Sequence, residues 1–192
     1  MPPRARPLAP EQRLDQLVDV TLRLLREHGR DVTTRQIAEA AGVAEGTIFR
    51  VVDSKDALVE AAIGRAFAPG ALIDRLCEID PGLTLRERLV LMVSILQQRY
   101  RATFDLMRKV GLVRPPQHDS AEADAARAQL AALMVGVVGT DAASLSVPAE
   151  EFCHRLRLLA FAGAHPLISD GHPVGPEAVV DTVLHGLGTE AR

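Results

Sequence analysis

Apolar residues recur at three- and four-residue steps along almost the whole chain, and no stretch sustains the period-two alternation of a half-buried strand. A chain patterned this way buries its apolar stripes by laying helix against helix. The expected fold class is therefore all-α, with about nine helices. With no Trp, one Tyr and five Phe, the core must be built from Leu, Val, Ile and Ala.

Punctuation residues divide the pattern. Pro10 and Glu11 open a first helix carrying Leu14, Leu17, Val18, Leu22 and Leu25, which His28-Gly29 closes. Thr33 and Gln36 have capping-box spacing for a second helix with Ile37, Ala38 and Ala41. Gly42 breaks it, and a short helix is expected from Ala44 to Val51. Ser54 caps a fourth helix with Leu58, Ala62, Ile63 and Phe67, and a short helix after Pro69-Gly70 holds Leu72, Ile73, Leu76 and Ile79. Thr84 caps a helix over 85–110, roughly 40 Å long at 1.5 Å per residue. Further helices are expected over 120–138, 149–169 and 176–187, with a Pro115-Pro116 loop before the first. The resulting division is a disordered basic arm (1–9), a first helical domain (10–53), a connecting helix (54–69) and a second helical domain (70–192).

The 192 residues suit one to two compact domains. Cys77 and Cys153 lie far apart without metal-ligand spacing, so two free thiols are expected. No apolar run reaches membrane-span length and the N-terminus has no secretory pattern, which points to a cytoplasmic protein. Net charge is −3, and residues 1–60 hold nine Lys/Arg against ten Asp/Glu. Nucleic-acid binding then depends on placement: Arg4, Arg6, Arg35, Arg50 and Lys55 toward DNA, with Asp15, Asp19 and Glu27 turned away.

Residues 34–53 meet the demands of a helix-turn-helix. The first helix needs a small residue where the second crosses it, the turn needs a glycine able to take positive φ, and apolar anchors must sit at fixed offsets. Ala38 is the small residue, Gly42 the turn, and Ile37, Ala41, Val43, Ile48 and Val51 the anchors. Gly46 lies inside the second helix at a cost of about 1 kcal/mol, consistent with close approach of its backbone to DNA. A plain helical hairpin is the alternative. As a DNA reader, the segment offers Thr33 as cap and Thr34 and Arg35 as backbone contacts. Ala44, Glu45, Thr47 and Arg50 are its candidate base readers: Arg50 for guanine, Thr47 for a hydroxyl or methyl contact, and Glu45 for cytosine N4. Glu45 reads equally well as a solvated acid that repels phosphate.

The run Thr33-Thr-Arg-Gln-Ile-Ala-Glu-Ala-Ala-Gly-Val-Ala-Glu-Gly-Thr-Ile-Phe-Arg, followed by Ser54-Lys55-Asp56-Ala57-Leu58, resembles the N-terminal signature of TetR-type transcriptional regulators over roughly residues 12–60. The resemblance implies a three-helix DNA-binding domain, a larger helical domain for effector and dimerisation, and release of DNA on effector binding. It gives Lys55 the role of phosphate-binding lysine. Phe49 stands where the family usually has Tyr, keeping a ring for packing or a thymine methyl contact without the hydroxyl. Val51 and Val52 replace the family's frequent His or Tyr, then Phe.

In the second domain, Met92, Leu96, Tyr100, Phe104 and Met107 form a stripe that reads as core or, with Leu130, Leu133 and Met134, as the wall of a pocket for a small, largely apolar effector. The helices over 149–169 and 176–187 are apolar on more than one face. Leu156, Leu159, Gly163, Val179, Val183 and Leu187 are the expected homodimer interface, as the TetR resemblance implies for the last two helices. His118, His154, His165, His172 and His185 show no metal spacing, and neither a catalytic group nor a cofactor is expected.

The function read from the sequence is a ligand-responsive regulator, a repressor with activation left open, that binds double-stranded operator DNA as a homodimer and has no membrane partner. A winged-helix regulator would need a β-hairpin where residues 54–67 read as helix. A helical small-molecule-binding or interaction protein with weak or lost DNA binding is the alternative from another class.

Overall fold

The computed structural model describes residues 9–116 and 120–187, the side chain of Leu187 excepted. Nine α-helices and no strand occur among the described residues. They are α1 (Pro10–His28), α2 (Thr34–Ala41), α3 (Glu45–Ile48), α4 (Lys55–Phe67), α5 (Gly70–Cys77), α6 (Leu85–Val110), α7 (Ala121–Val138), α8 (Ala149–Ala164) and α9 (Pro176–Leu187). Short 3-10 turns follow α1 and α7. No described helix is long and apolar enough to cross a membrane.

The caps read from sequence at Thr33, Ser54 and Thr84 are formed, and Ser120 supplies another. The Thr33 hydroxyl accepts from the Gln36 amide at 3.2 Å, and the Gln36 side chain accepts from the Thr33 amide at 2.8 Å. Ser54 caps α4 through the Ala57 amide, and Ser120 caps α7 through the Ala123 amide, each at 3.1 Å. At the start of α6 the Glu87 carboxylate accepts from the Thr84 hydroxyl at 2.6 Å and from its amide at 2.9 Å, bonds that hold its pKa below the ordinary value.

Three helices stop earlier than their periodicity suggests. The expected helix over 44–51 is helical only over Glu45–Ile48, and β-branched Thr47, Ile48, Val51 and Val52 account for its poor persistence. The turn continues through the Val52 amide, which donates to the Ile48 carbonyl at 3.1 Å. α5 ends at Cys77, leaving Ile79 outside it. α8 ends at Ala164, not 169, because Pro166 drives His165 out of the helical region to φ −80°, ψ 121°.

The chain forms two compact units. The first comprises residues 9–68 with 105–116. α4 belongs to its core, and Leu58, Val59, Ala62 and Ile63 pack with Leu17, Val18, Leu25, Ile37 and Ile48. The end of α6 adds Leu106 and Val110. It is clamped there: the Arg30 Nε donates to the Val110 carbonyl at 3.0 Å, and Lys109 donates to the Arg26 carbonyl. Gly29, at φ +63°, permits this approach, since a Cβ there would lie 2.6 Å from the Lys109 carbonyl oxygen.

The second unit comprises residues 69–104 with 120–187. Its core gathers Leu89, Met92, Leu96, Met134, Phe152, Leu156, Val179 and Val180. One buried amide crosses this apolar mass. The Gln97 side chain donates to the Val174 carbonyl at 2.8 Å and accepts from Arg101 at 2.9 Å. α6 is thus one continuous helix whose residues serve two cores.

Candidate nucleic-acid interface and effector cavity

The helix-turn-helix is built as its residue types require. Gly42 adopts the left-handed conformation, φ 66°, ψ 35°, and the Val43 amide donates back to the Ala38 carbonyl at 3.0 Å, satisfying the end of α2. Ala38 is buried at the crossing, while Ile37 and Ile48 are fully buried beneath the two helices. With Ile48 inward, Glu45, Gly46, Phe49 and Arg50 are exposed and Thr47 is half-buried. Phe49 keeps 52% of its surface in solvent. Ala44 caps α3 without a side-chain acceptor, leaving the cap position to backbone alone.

The remaining nominated side chains fall in two groups. Thr34 and Glu45 are joined, the threonine hydroxyl donating to the carboxylate across the turn. Arg35 is exposed on the first turn of α2. Lys55 reaches back from α4 so that its ammonium donates to the Val32 carbonyl at 3.2 Å, which fixes the charge in place with two donors to spare. Val51 and Val52 pack against the core, which explains why apolar residues occupy those two positions. Arg4 and Arg6 lie outside the described residues. Among the acids, Asp15 and Asp19 are paired with Arg65 on α4, which ties α1 to α4 and raises the guanidinium pKa through these bonds.

In the second unit, a cavity of about 460 Å³ opens between α7 and α8. Leu130 and Met134 line it, as the sequence suggests. The other nominated pocket residues lie elsewhere. Met92 and Leu96 are fully buried in the core. Tyr100 and Phe104 join a ring cluster with Phe161 and His165, with centroid separations of 5.3 Å for Tyr100–Phe161 and 4.5 Å for Phe104–His165. Met107 belongs to the first unit. Sequence reasoning missed Arg127, Glu150, Cys153 and Arg157 on the cavity wall. Their signal was spacing: Arg127, Leu130 and Met134 on α7, and Glu150, Cys153 and Arg157 on α8, share i, i+3 and i+7 faces.

The nominated dimer residues divide similarly. Leu156, Gly163, Val179 and Val183 are buried in their own unit, and Leu159 packs partly against the same core. A Cβ on Gly163 would lie 2.9 Å from the Val174 Cβ. The Leu187 side chain lies outside the described residues. The exposed large apolar side chains of α8 are instead Leu158 and Phe161, followed by Leu167 and Ile168 in the loop. Of the histidines, His118 lies outside the described residues. No three His, Cys, Asp or Glu side chains gather as a metal site among the described residues.

Residues 17–62 match the family model for bacterial regulatory proteins of the tetR family. The whole fold resembles solved structures of the same family. A TetR transcription regulator from Haloarcula marismortui ATCC 43049 superposes with TM-score 0.65 at 18% identity, covering 93% of this chain and 100% of that one. A tetR-family regulator from Streptomyces coelicolor gives TM-score 0.59 at 24% identity, over 93% of this chain and 80% of that one. The chain matches no curated protein.

Proposed function

We propose that this chain, a TetR-family transcriptional regulator, is a cytoplasmic repressor that binds a two-fold operator as a homodimer and leaves it when a small molecule occupies the cavity between α7 and α8. The observation that carries the reading is the disposition of α3. Ile48 anchors it to the core while Glu45, Gly46, Phe49 and Arg50 face solvent together, the arrangement a helix needs to enter a major groove. Phosphate contacts come from Arg35, Lys55 and the arm with Arg4 and Arg6; base contacts come from Ala44, Glu45, Thr47, Phe49 and Arg50.

A single recognition unit reads few base pairs, so affinity requires two units on one two-fold site. The partner surface follows from what is exposed. Because Leu156, Val179 and Val183 are occupied within the protomer, a second copy packs on the α8 face that presents Leu158 and Phe161. Coupling between effector and DNA has a covalent route in α6, whose early turns build the core beside α7 and α8 and whose last turn builds the core of the DNA-binding unit.

The test is a shift assay with the DNA flanking the chain's own gene, titrated across salt. Operator binding through several phosphates gives at least a tenfold loss of affinity between about 50 and 200 mM salt. A flat dependence would instead support a helical small-molecule-binding protein without DNA binding. Leu158→Glu must lower both the solution mass and the affinity; an unchanged dimer mass removes Leu158 from the interface.

A further inference from the structure

The cavity between α7 and α8 has an apolar wall of Leu130, Ala131, Met134 and Val135. Its polar groups are not balanced. Arg127 is paired with Asp124, and Arg155, on the same helix as Arg157, is paired with Glu151. Arg157 lines the cavity half-buried, and among the described residues no carboxylate lies within ion-pair distance of it. The buried Tyr100 hydroxyl, off the cavity wall, feels the Arg157 charge without a formed hydrogen bond. Burial raises the phenol pKa above its ordinary value.

Arg157 thus stands at one end of the cavity wall without a carboxylate partner. A half-buried cation of this kind is poorly compensated until an anion reaches it. The one carboxylate on the wall, Glu150, lies seven residues earlier on α8, about 10 Å away along the helix. It leaves the Arg157 end positive. Cys153, between them, is buried and neutral, and adds to the apolar surface.

We propose that the effector is a small organic acid whose carboxylate binds the Arg157 guanidinium and whose apolar body lies on Leu130, Met134 and Val135. The inference rests on the reading of this cavity as the effector site. It refines the sequence expectation of a largely apolar ligand by adding one negative charge at a defined place. The volume, about 460 Å³, suits a molecule of roughly ten to fifteen non-hydrogen atoms with water beside it.

The test uses the full chain and two matched pairs of probes: decanoate with 1-decanol, and 4-phenylbutyrate with 4-phenylbutan-1-ol. Binding is read by calorimetry and release by the operator shift assay. The acids are expected to bind at least about 10-fold more tightly than their alcohols, a charged hydrogen bond's worth. Arg157→Gln should erase that preference, while Arg157→Lys keeps part of it and shows that the fold survives. Glu150→Gln should tighten the acids and leave the alcohols unchanged. Ala131→Phe, which fills the cavity, should abolish binding of both members of each pair. If the alcohols bind as well as the acids and Ala131→Phe removes both, the cavity is the effector site and the acid assignment is wrong. If the acids bind but neither Arg157→Gln nor Ala131→Phe alters them, the site itself is wrong. Failure of all four probes to bind also overturns the proposal.

Discussion

The Thr34 hydroxyl at the start of α2 donates to the Glu45 carboxylate at the start of α3, joining the two helices of the DNA-binding motif on their solvent side. Each residue reads from sequence as a separate DNA contact; the structure makes them one unit. A carboxylate held this way has one oxygen committed and one left to accept from a base. Thr34→Val and Glu45→Ala should therefore be non-additive in operator affinity, with a coupling of about 0.5–1 kcal/mol in a double-mutant cycle. Strictly additive losses would mean that the pair separates when DNA arrives.

Arg50 and Lys55 should contribute to operator binding in different ways. Arg50 is exposed beyond the buried Ile48, whereas Lys55 is anchored at the Val32 carbonyl beside the α4 cap. Arg50→Ala should cost about 1–3 kcal/mol on the operator and relax discrimination at one base pair. Lys55→Ala should weaken operator and unrelated DNA alike and flatten the salt dependence by about one phosphate contact. Equal losses on every sequence from the Arg50 change would remove it from the base readers.

Gly46 has no intramolecular reason to be glycine: a Cβ built there meets nothing within 4 Å. In a helix this glycine costs about 0.5–1 kcal/mol relative to alanine. Gly46→Ala should therefore raise the melting temperature by a few degrees. On the proposed docking of α3 it should also lower operator affinity about tenfold, because the added methyl would stand where backbone approaches the groove. A gain in stability with unchanged affinity would show that DNA never comes close to position 46.

Much of the first unit was legible because its constraints are local. The Thr33–Gln36 capping box, the left-handed Gly42 and the small Ala38 are each dictated by residues within five positions. The second unit was less legible because its determinants are long-range. Apolar stripes are alike in sequence whether they end in a core or on a cavity wall, and only packing separates core-buried Met92 from cavity-lining, partly buried Leu130. Likewise Leu156 and Leu158 differ by two positions on α8, yet one is fully buried and the other half exposed. The overlong reading of α8 had a local remedy in Pro166.

Gly163 illustrates the same long-range dependence. A Cβ there would lie 2.9 Å from the Val174 Cβ and 3.2 Å from the Val174 carbonyl, the same carbonyl that accepts from Gln97. Gly163→Ala must push the segment after α8 away and strain the Gln97–Val174 hydrogen bond. A cost of about 1–3 kcal/mol is expected in denaturant unfolding, from overpacking. Gln97→Met, which removes the donor but keeps the volume, should then reduce the additional cost of Gly163→Ala. A fully additive double variant would place the strain elsewhere.

The two cysteines should differ sharply in reactivity. Burial, with a smaller contribution from the Glu150 charge, pushes the Cys153 thiol from its ordinary value near 9 up to about 12. At pH 8 only about one molecule in ten thousand then carries the thiolate that alkylating reagents attack. Cys77 is exposed and should label first, while Cys153 should label only at the rate at which the cavity wall opens. The sign for stability follows from the raised value: the neutral thiol is favoured in the folded state, so its contribution is complete below about pH 9 and is lost as pH rises toward about 12. Cys153→Ala should accordingly flatten the alkaline limb of the stability curve between those values and leave it unchanged in shape at neutral pH. Equal labelling of both thiols in the folded protein at pH 8 would show that Cys153 is open to solvent.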